Sequence, residues 1–203
     1  MYIQAVGNRC AVHFSSLHLP ITDAEALRIL EEAGYRVVEV DLTALARERI
    51  GKAEYRRGAR MRETPDVFDC SSFTKWLYAQ LGFCLPRYSI EQWDRCAHLP
   101  DTEPVAGALA FSSGTISWYW DDPGQGIGHV GYVTPEATVI HAANSKEGVI
   151  EEPLAEWKGW KGFRGIRYPV PPNLKLVTLE CPPDAEIESS KDLRWKILQR
   201  LPR

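Results

Sequence analysis

The chain lacks an excess of either charge. Its 203 residues carry 24 Lys and Arg against 27 Asp and Glu, a formal net charge of -3. No basic stripe stands ready to neutralise phosphates, which argues against nucleic acid as a partner. No run of about 18 apolar residues is present to span a bilayer, so no membrane partner is expected. There is no internal repeat and no low-complexity segment. Five cysteines, at positions 10, 70, 84, 96 and 181, include no CxxC pair. That excludes zinc-finger and thioredoxin patterns, and the odd count and irregular spacing argue against a disulfide framework. Cys84 and Cys96 sit in apolar company and read as buried hydrophobes. The opening stretch Met1–Cys10 has no basic leader, and Gln4, Asn8 and Arg9 interrupt its apolar residues, so it does not read as a secretory signal. The expected location is the cytoplasm, with export by a signal-independent route left open.

What is present is an ordinary composition, 44% hydrophobic and 25% charged. The length suits one domain with appendages. Thr22 and Glu25 make a capping box for a helix ending before Gly34. Arg36–Val40 reads as a strand, and Asp41 caps a helix over Leu42–Ile50. Charged Met61–Asp66 is a loop. From Cys70 to Leu81, Phe73, Trp76, Leu77 and Leu81 recur at helical spacing, and Gly82 closes that helix. Ser89 and Gln92 are expected to cap a further helix, Ile90–Ala97. After Gly107 the pattern changes to short apolar runs, Ala108–Phe111, Val130–Val133, Val139–His141 and Ile166–Val170, which read as strands. Helices first and strands afterwards predict an α+β fold with an antiparallel sheet. Beyond Pro171 a proline-rich stretch leads to a terminal helix near Lys191–Leu201.

Three residues could carry chemistry. Cys70 opens a helix, where free N–H groups and the helix dipole favour a thiolate and could hold an oxyanion. The alternative is a buried helical cysteine. His129 and His141 lie on consecutive strand segments separated by Pro135. A hairpin loop of odd length centred on Pro135 would set them directly opposite each other on one face, with Cβ atoms about 5 Å apart. One imidazole could then take a proton from a thiol while the other fixes its tautomer. Two half-exposed strand histidines, or a zinc site built from Cys70, His129 and His141, are the competing readings; the latter lacks an evident fourth ligand.

At these residues the chain resembles the NlpC/P60 family of papain-like cysteine peptidases. Asp69-Cys-Ser-Ser-Phe73 is similar to the family's nucleophile segment, and Leu85-Pro-Arg-Tyr-Ser-Ile-Glu-Gln92 to the stretch that follows it. Gly107-Ala-Leu-Ala-Phe111, Gly128-His-Val-Gly131 and Val139-Ile-His-Ala142 resemble three of its strands, with Ala108 where the family commonly has Asp. The resemblance runs over roughly residues 42–168. It implies a papain-like fold, with helices packed on a small antiparallel sheet and the nucleophile at a helix N-terminus. It implies residues 1–40 as an N-terminal extension, 41–170 as the catalytic domain and 171–203 as a C-terminal tail. Cys70 becomes the nucleophile, His129 the general base and His141 the third triad member. Tyr55 matches a tyrosine near the oxyanion position, and Asp69 and Ser71 match positions that meet the free amine of a peptide substrate.

The implied activity is hydrolysis of cell-wall peptides, typically between γ-D-glutamate and a diamino acid, with no metal or organic cofactor. The partner expected is a muropeptide-like substrate, with an immunity protein if the chain is a delivered toxin rather than a recycling enzyme. An amidase or acyltransferase acting elsewhere, and a catalytically silent binding module, are the other readings. The aromatic segment 116–128, with Trp118, Tyr119 and Trp120, leads into His129 and is placed either as a cleft wall or as packing.

Overall fold

A computed structural model describes residues 6–98, 106–115 and 126–201. In chain order the elements are β1 (Arg9–Val12), α1 (Asp23–Glu32), β2 (Arg36–Val37), α2 (Leu42–Arg47), β3 (Glu54–Tyr55), β4 (Val67–Phe68), α3 (Cys70–Ala79), α4 (Ser89–Arg95), β5 (Ala97–His98), β6 (Leu109–Ser112), β7 (His129–Val133), β8 (Thr138–Asn144), β9 (Gly148–Pro153), α5 (Leu154–Gly159), β10 (Phe163–Tyr168), β11 (Val177–Glu180) and α6 (Ser190–Leu198). Short 3-10 turns lie at Phe14–Leu17 and Met61–Glu63. The chain divides into two compact units, one of Met1–Val40, Tyr78–Cys84 and Asn173–Arg203, the other of Asp41–Leu77 and Leu85–Pro172.

The first unit joins residues from both ends of the sequence. β11 lies between β1 and β2 in an antiparallel sheet. Helix α1 begins at the predicted capping box: Glu25 N–H donates to Thr22 Oγ1 at 3.3 Å, and Thr22 N–H donates to Glu25 Oε2 at 2.9 Å. Ala26, Ile29 and Leu30, on one helical face, join Val12, Phe14, Leu179, Leu193 and Ile197 in a single core. Within it the Cys10 and Cys181 sulfurs lie 3.4 Å apart.

The second unit has the expected α+β architecture. Its six strands run in the order β5-β10-β6-β7-β8-β9, and every pairing is antiparallel. β6 is buried along its whole length, which is why it reads as the unbroken apolar run Leu109-Ala-Phe111 rather than as an alternation. Ala108, Ala110, Val133, Val139, Leu154, Trp157 and Tyr168 form one buried cluster. Helix α3 buries Phe73 and Leu77 completely, and Phe73 meets Phe68 edge-on with centroids 5.3 Å apart.

Two expectations from the sequence are corrected. Cys96 is buried as anticipated, but Cys84 is only half-buried. Ser89 and Gln92 do not cap α4. Tyr88 is the N-cap, and its N–H donates to Glu91 Oε2 at 3.0 Å. Gln92 is fully buried and turned towards α3. Its amide nitrogen donates to the Ser71 carbonyl at 2.9 Å and the Pro86 carbonyl at 3.0 Å, and its amide oxygen accepts from Thr74 Oγ1 at 2.8 Å. A buried amide must satisfy each of these groups, so Gln92 fixes α4 against the first turn of α3. The sequence analysis also missed β9 and α5, because the charges of Glu151 and Glu152 interrupt the apolar pattern there.

Candidate active site

Cys70 is the first residue of α3, and Asp69 caps the helix. Ser72 N–H donates to Asp69 Oδ1 at 2.8 Å, and Asp69 N–H donates to Ser72 Oγ at 2.9 Å. This reciprocal pair is the capping box of the nucleophile helix. Asp69 carries more than a cap. Arg87 binds it with both terminal nitrogens, at 3.0 Å to Oδ1 and 2.5 Å to Oδ2, and Gly58 N–H donates to Oδ2 at 3.1 Å. Arg87 also donates to Ser71 Oγ at 3.0 Å and to the Ala59 carbonyl at 2.5 Å. Burial opposes ionisation of Asp69, but Arg87 and the Ser72 N–H outweigh it and hold the carboxyl below the ordinary carboxylate range. Of the residues expected to meet a substrate amine, Asp69 and Ser71 are therefore buried and already hydrogen-bonded to a guanidinium.

Tyr55 is placed by the parallel pairing of β3 with β4, which sets it opposite Phe68, two residues before the nucleophile. The residues between β3 and β4 include the 3-10 turn at Met61–Glu63. Burial first, with the nearby Asp69 carboxylate adding to it, raises the Tyr55 phenol, so it is a protonated hydroxyl and a donor near neutral pH.

His129 begins β7 and His141 lies in β8. Their strands pair in a register two residues from the one expected: Tyr132 faces Ile140 and Val133 faces Val139. The loop is still odd, so both histidines keep the same face, but they lie diagonally rather than directly opposite. Continuing this register places Gly131 opposite His141. A Cβ built on Gly131 would lie 2.4 Å from Val139 Cγ1 and 3.0 Å from His141 Cβ. Glycine therefore leaves the space in which the rings meet. His129 Nε2 is 2.8 Å from His141 Nδ1. The two nitrogens face each other in a hydrogen bond and leave no room for a metal ion between them. Among the described residues, no group of three His, Cys, Asp or Glu is arranged to hold one.

The diagonal continues onto β9. His141 Nε2 is 3.0 Å from Glu152 Oε2, and the same oxygen accepts from Trp157 Nε1 on α5 at 3.0 Å. The Trp157 ring stacks on His129 at 5.5 Å and 27°, and meets His141 edge-on at 4.9 Å and 90°. Neither Glu152 nor Trp157 stands out in the sequence. The available signal was a carboxylate in the strand after His141, legible only once the β8–β9 hairpin is known.

Cys70 Sγ lies 4.0 Å from the carbonyl oxygen of Gly128, the residue before His129. Gly128 is itself tightly placed, since a Cβ there would meet the Ser113 carbonyl oxygen at 2.4 Å. The thiol is not an activated thiolate at rest. Burial first, then the Asp69 carboxylate, pushes it up to about 12, against the pull of the Val130 and Ser71 N–H groups. Desolvation and the Asp69 charge outweigh the N–H groups at the helix start and Arg87, so the shift runs opposite to the one expected from the helix start alone. Burial likewise drives His129 down to about 3, with His141 adding to the effect. Both groups are neutral at pH 7.

A cleft of about 720 Å³ opens beside these residues, lined by Tyr55, His129, His141, Glu152, Trp157 and Trp160 among others. Most of the aromatic segment singled out above, residues 116–125, lies outside the described residues, including Trp118, Tyr119 and Trp120.

A cysteine at a helix start beside two hydrogen-bonded histidines on an antiparallel sheet defines the papain-like class of folds. The chain belongs to the NlpC/P60 family, whose model matches residues 51–163, more than half of its length. Among curated relatives, the probable endopeptidase p60 of Listeria innocua is 34% identical over 122 residues, 60% of this chain and 23% of that protein. The probable endopeptidase Cgl2188 of Corynebacterium glutamicum is 33% identical over 134 residues, 66% of this chain and 56% of that protein. The chain thus spans only part of the length of each. Of solved structures, an NlpC/P60 family protein from Bacillus cereus superposes with a TM-score of 0.55 at 22% identity, covering 67% of this chain and 42% of that one. The peptidoglycan hydrolase RipB of Mycobacterium tuberculosis gives 0.50 at 21% identity, covering 74% and 69%. At these identities the structures share the fold.

Proposed function

We propose that this chain is a cysteine peptidase that hydrolyses an amide bond in bacterial cell-wall peptides, with Cys70 as nucleophile, His129 as base and His141 as the residue that orients it. The observation that carries this reading is the 2.8 Å contact between His129 Nε2 and His141 Nδ1. It commits Nε2 of His129, and in this reading Nδ1 serves the thiol.

Because the resting pair is neutral, proton transfer accompanies attack instead of preceding it. His129 Nδ1 takes the Cys70 proton as sulfur bonds to the carbonyl carbon. The N–H groups at the start of α3 and the Tyr55 hydroxyl stabilise the oxyanion. Imidazolium His129 then returns the proton to the leaving amine, and the C–N bond breaks to give a thioester. Water, deprotonated by His129, hydrolyses the thioester and restores the thiol.

Family membership and relatives named as endopeptidases support this substrate class. The bond proposed is that between γ-D-glutamate and a diamino acid. Asp69 and Ser71 would face the substrate's free amino end, and Arg87 must share Asp69 with that amine. Among the described residues no helix is long and apolar enough to cross a membrane.

The test is mass spectrometry of purified muropeptides incubated with wild type and Cys70→Ala. New products ending in γ-D-glutamate, absent with the variant, are expected. Intact muropeptides in both samples, alongside cleavage by an active NlpC/P60 enzyme, would sink the proposal.

A further inference from the structure

We propose that Glu152 is a positioning residue for this reaction, which selects the tautomer of both histidines and so decides whether His129 can take the Cys70 proton. The inference rests on the triad reading above.

Each neutral imidazole carries one N–H. His129 Nε2 and His141 Nδ1, 2.8 Å apart, share a single hydrogen between them. If His141 supplies it from Nδ1, His129 must carry its own proton on Nδ1 and has no lone pair to offer the thiol. If His129 supplies it from Nε2, its Nδ1 is bare and basic. Nothing within the histidine pair favours the second arrangement. Glu152 does, because an ionised carboxylate only accepts hydrogen bonds. With its Oε2 3.0 Å from His141 Nε2, the proton of His141 belongs on Nε2. His141 Nδ1 is then an acceptor, His129 Nε2–H the donor, and His129 Nδ1 is free.

Glu152 is held in this role from the other side. Trp157 Nε1–H, which can only donate, binds the same Oε2 at 3.0 Å. The indole that fixes the carboxylate also stacks on His129, so one side chain positions both ends of the relay. The His141 bond outweighs desolvation and keeps the Glu152 carboxyl below its ordinary range, so it stays an acceptor at neutral pH. When His129 becomes imidazolium, the same carboxylate lies two hydrogen bonds away and opposes its charge.

The test compares wild type, Glu152→Leu, Glu152→Gln and His129→Ala, using the full chain. Glu152 sits on the outermost strand of its sheet with a side chain 38% exposed, so these changes are expected to leave the fold intact, checked by circular dichroism. Two quantities are read: the imidazole 15N chemical shifts at neutral pH, which distinguish the tautomers, and the rate of Cys70 alkylation by iodoacetamide. In wild type both histidines should be protonated on Nε2. Glu152→Leu should populate the other tautomer and slow alkylation at least about tenfold. Glu152→Gln should keep the tautomers and most of the rate, because its amide oxygen can still accept from Trp157 and His141. Wild-type tautomers and a rate within about twofold in Glu152→Leu, while His129→Ala slows alkylation, would overturn the role of Glu152 alone. If His129→Ala also leaves the rate unchanged, the triad reading falls and this one falls with it.

Discussion

Replacing Asp69 separates its structural work from any contact with substrate. Its carboxylate caps α3 through Ser72 N–H and pairs with Arg87 through two hydrogen bonds. Loss of an N-cap costs about 1 kcal/mol. Removing one partner of a fully buried ion pair costs about 3–5 kcal/mol. Here the Arg87 side chain is 23% exposed and keeps its bonds to Ser71 and Ala59, so about 2 kcal/mol is the better figure for this pair. Asp69→Ala should therefore cost about 3 kcal/mol, a fall in melting temperature of roughly 6–12 °C for a chain of this size. Asp69→Asn keeps the cap, since Asn and Asp cap about equally well, and should cost about 2 kcal/mol. Urea denaturation and calorimetry of both variants read these values. A melting temperature for Asp69→Ala within about 2 °C of wild type would refute the anchoring argument. Equal losses for the two variants would refute the capping part alone. A fall in kcat/KM for Asp69→Asn, measured well below its melting temperature, would then report contact with the substrate's amine.

Stability should also vary with pH in a defined way. His129 titrates near 6.5 when unfolded and about 3 when folded, so below pH 6.5 the unfolded chain binds the extra proton and stability falls as pH drops towards 3. Cys70 moves from 9.0 to about 12, so the fold retains a proton that the unfolded chain loses, and stability falls as pH rises above 9. Urea midpoints across this range should show both limbs, with His129→Phe flattening the acid one and Cys70→Ala the basic one. Gly131→Ala places a methyl against Val139 and His141 and should cost about 1–3 kcal/mol in urea denaturation while slowing Cys70 alkylation; wild-type stability would contradict the close approach. Tyr55→Phe removes the proposed oxyanion donor and should lower kcat about a hundredfold with KM little changed; an unchanged kcat would remove Tyr55 from the mechanism.

The sequence made some of this legible because the signals were local. The Thr22–Glu25 box, the apolar runs of β6 to β8 and the start of α3 at Cys70 each follow from neighbouring residues. The shared face of His129 and His141 was also readable, since strand parity depends only on whether the loop is odd. Their register was not, because centring the loop on Pro135 misplaces it by two residues. The thiol's pKa was misjudged for a different reason. A helix start can be read from sequence, whereas the burial that outweighs it is a property of the assembled fold. Glu152 and the Arg87–Asp69 pair belong to the same class, since each depends on segments whose meeting no local pattern announces.

The pairing of β1 with β11 has a consequence for synthesis. Cys10 meets Cys181, a residue 171 positions later in the chain. At ~5–20 residues per second, the first strand leaves the ribosome roughly 10–30 seconds before its partner exists. Throughout that interval Phe14, Leu17, Ile29 and Leu30 have no completed core to enter. The segments between them are complete before β1 finds β11. Nascent chains stalled before Val177 has emerged should therefore be cut by protease between residues 9 and 40, and those stalled after Leu198 has emerged should be protected.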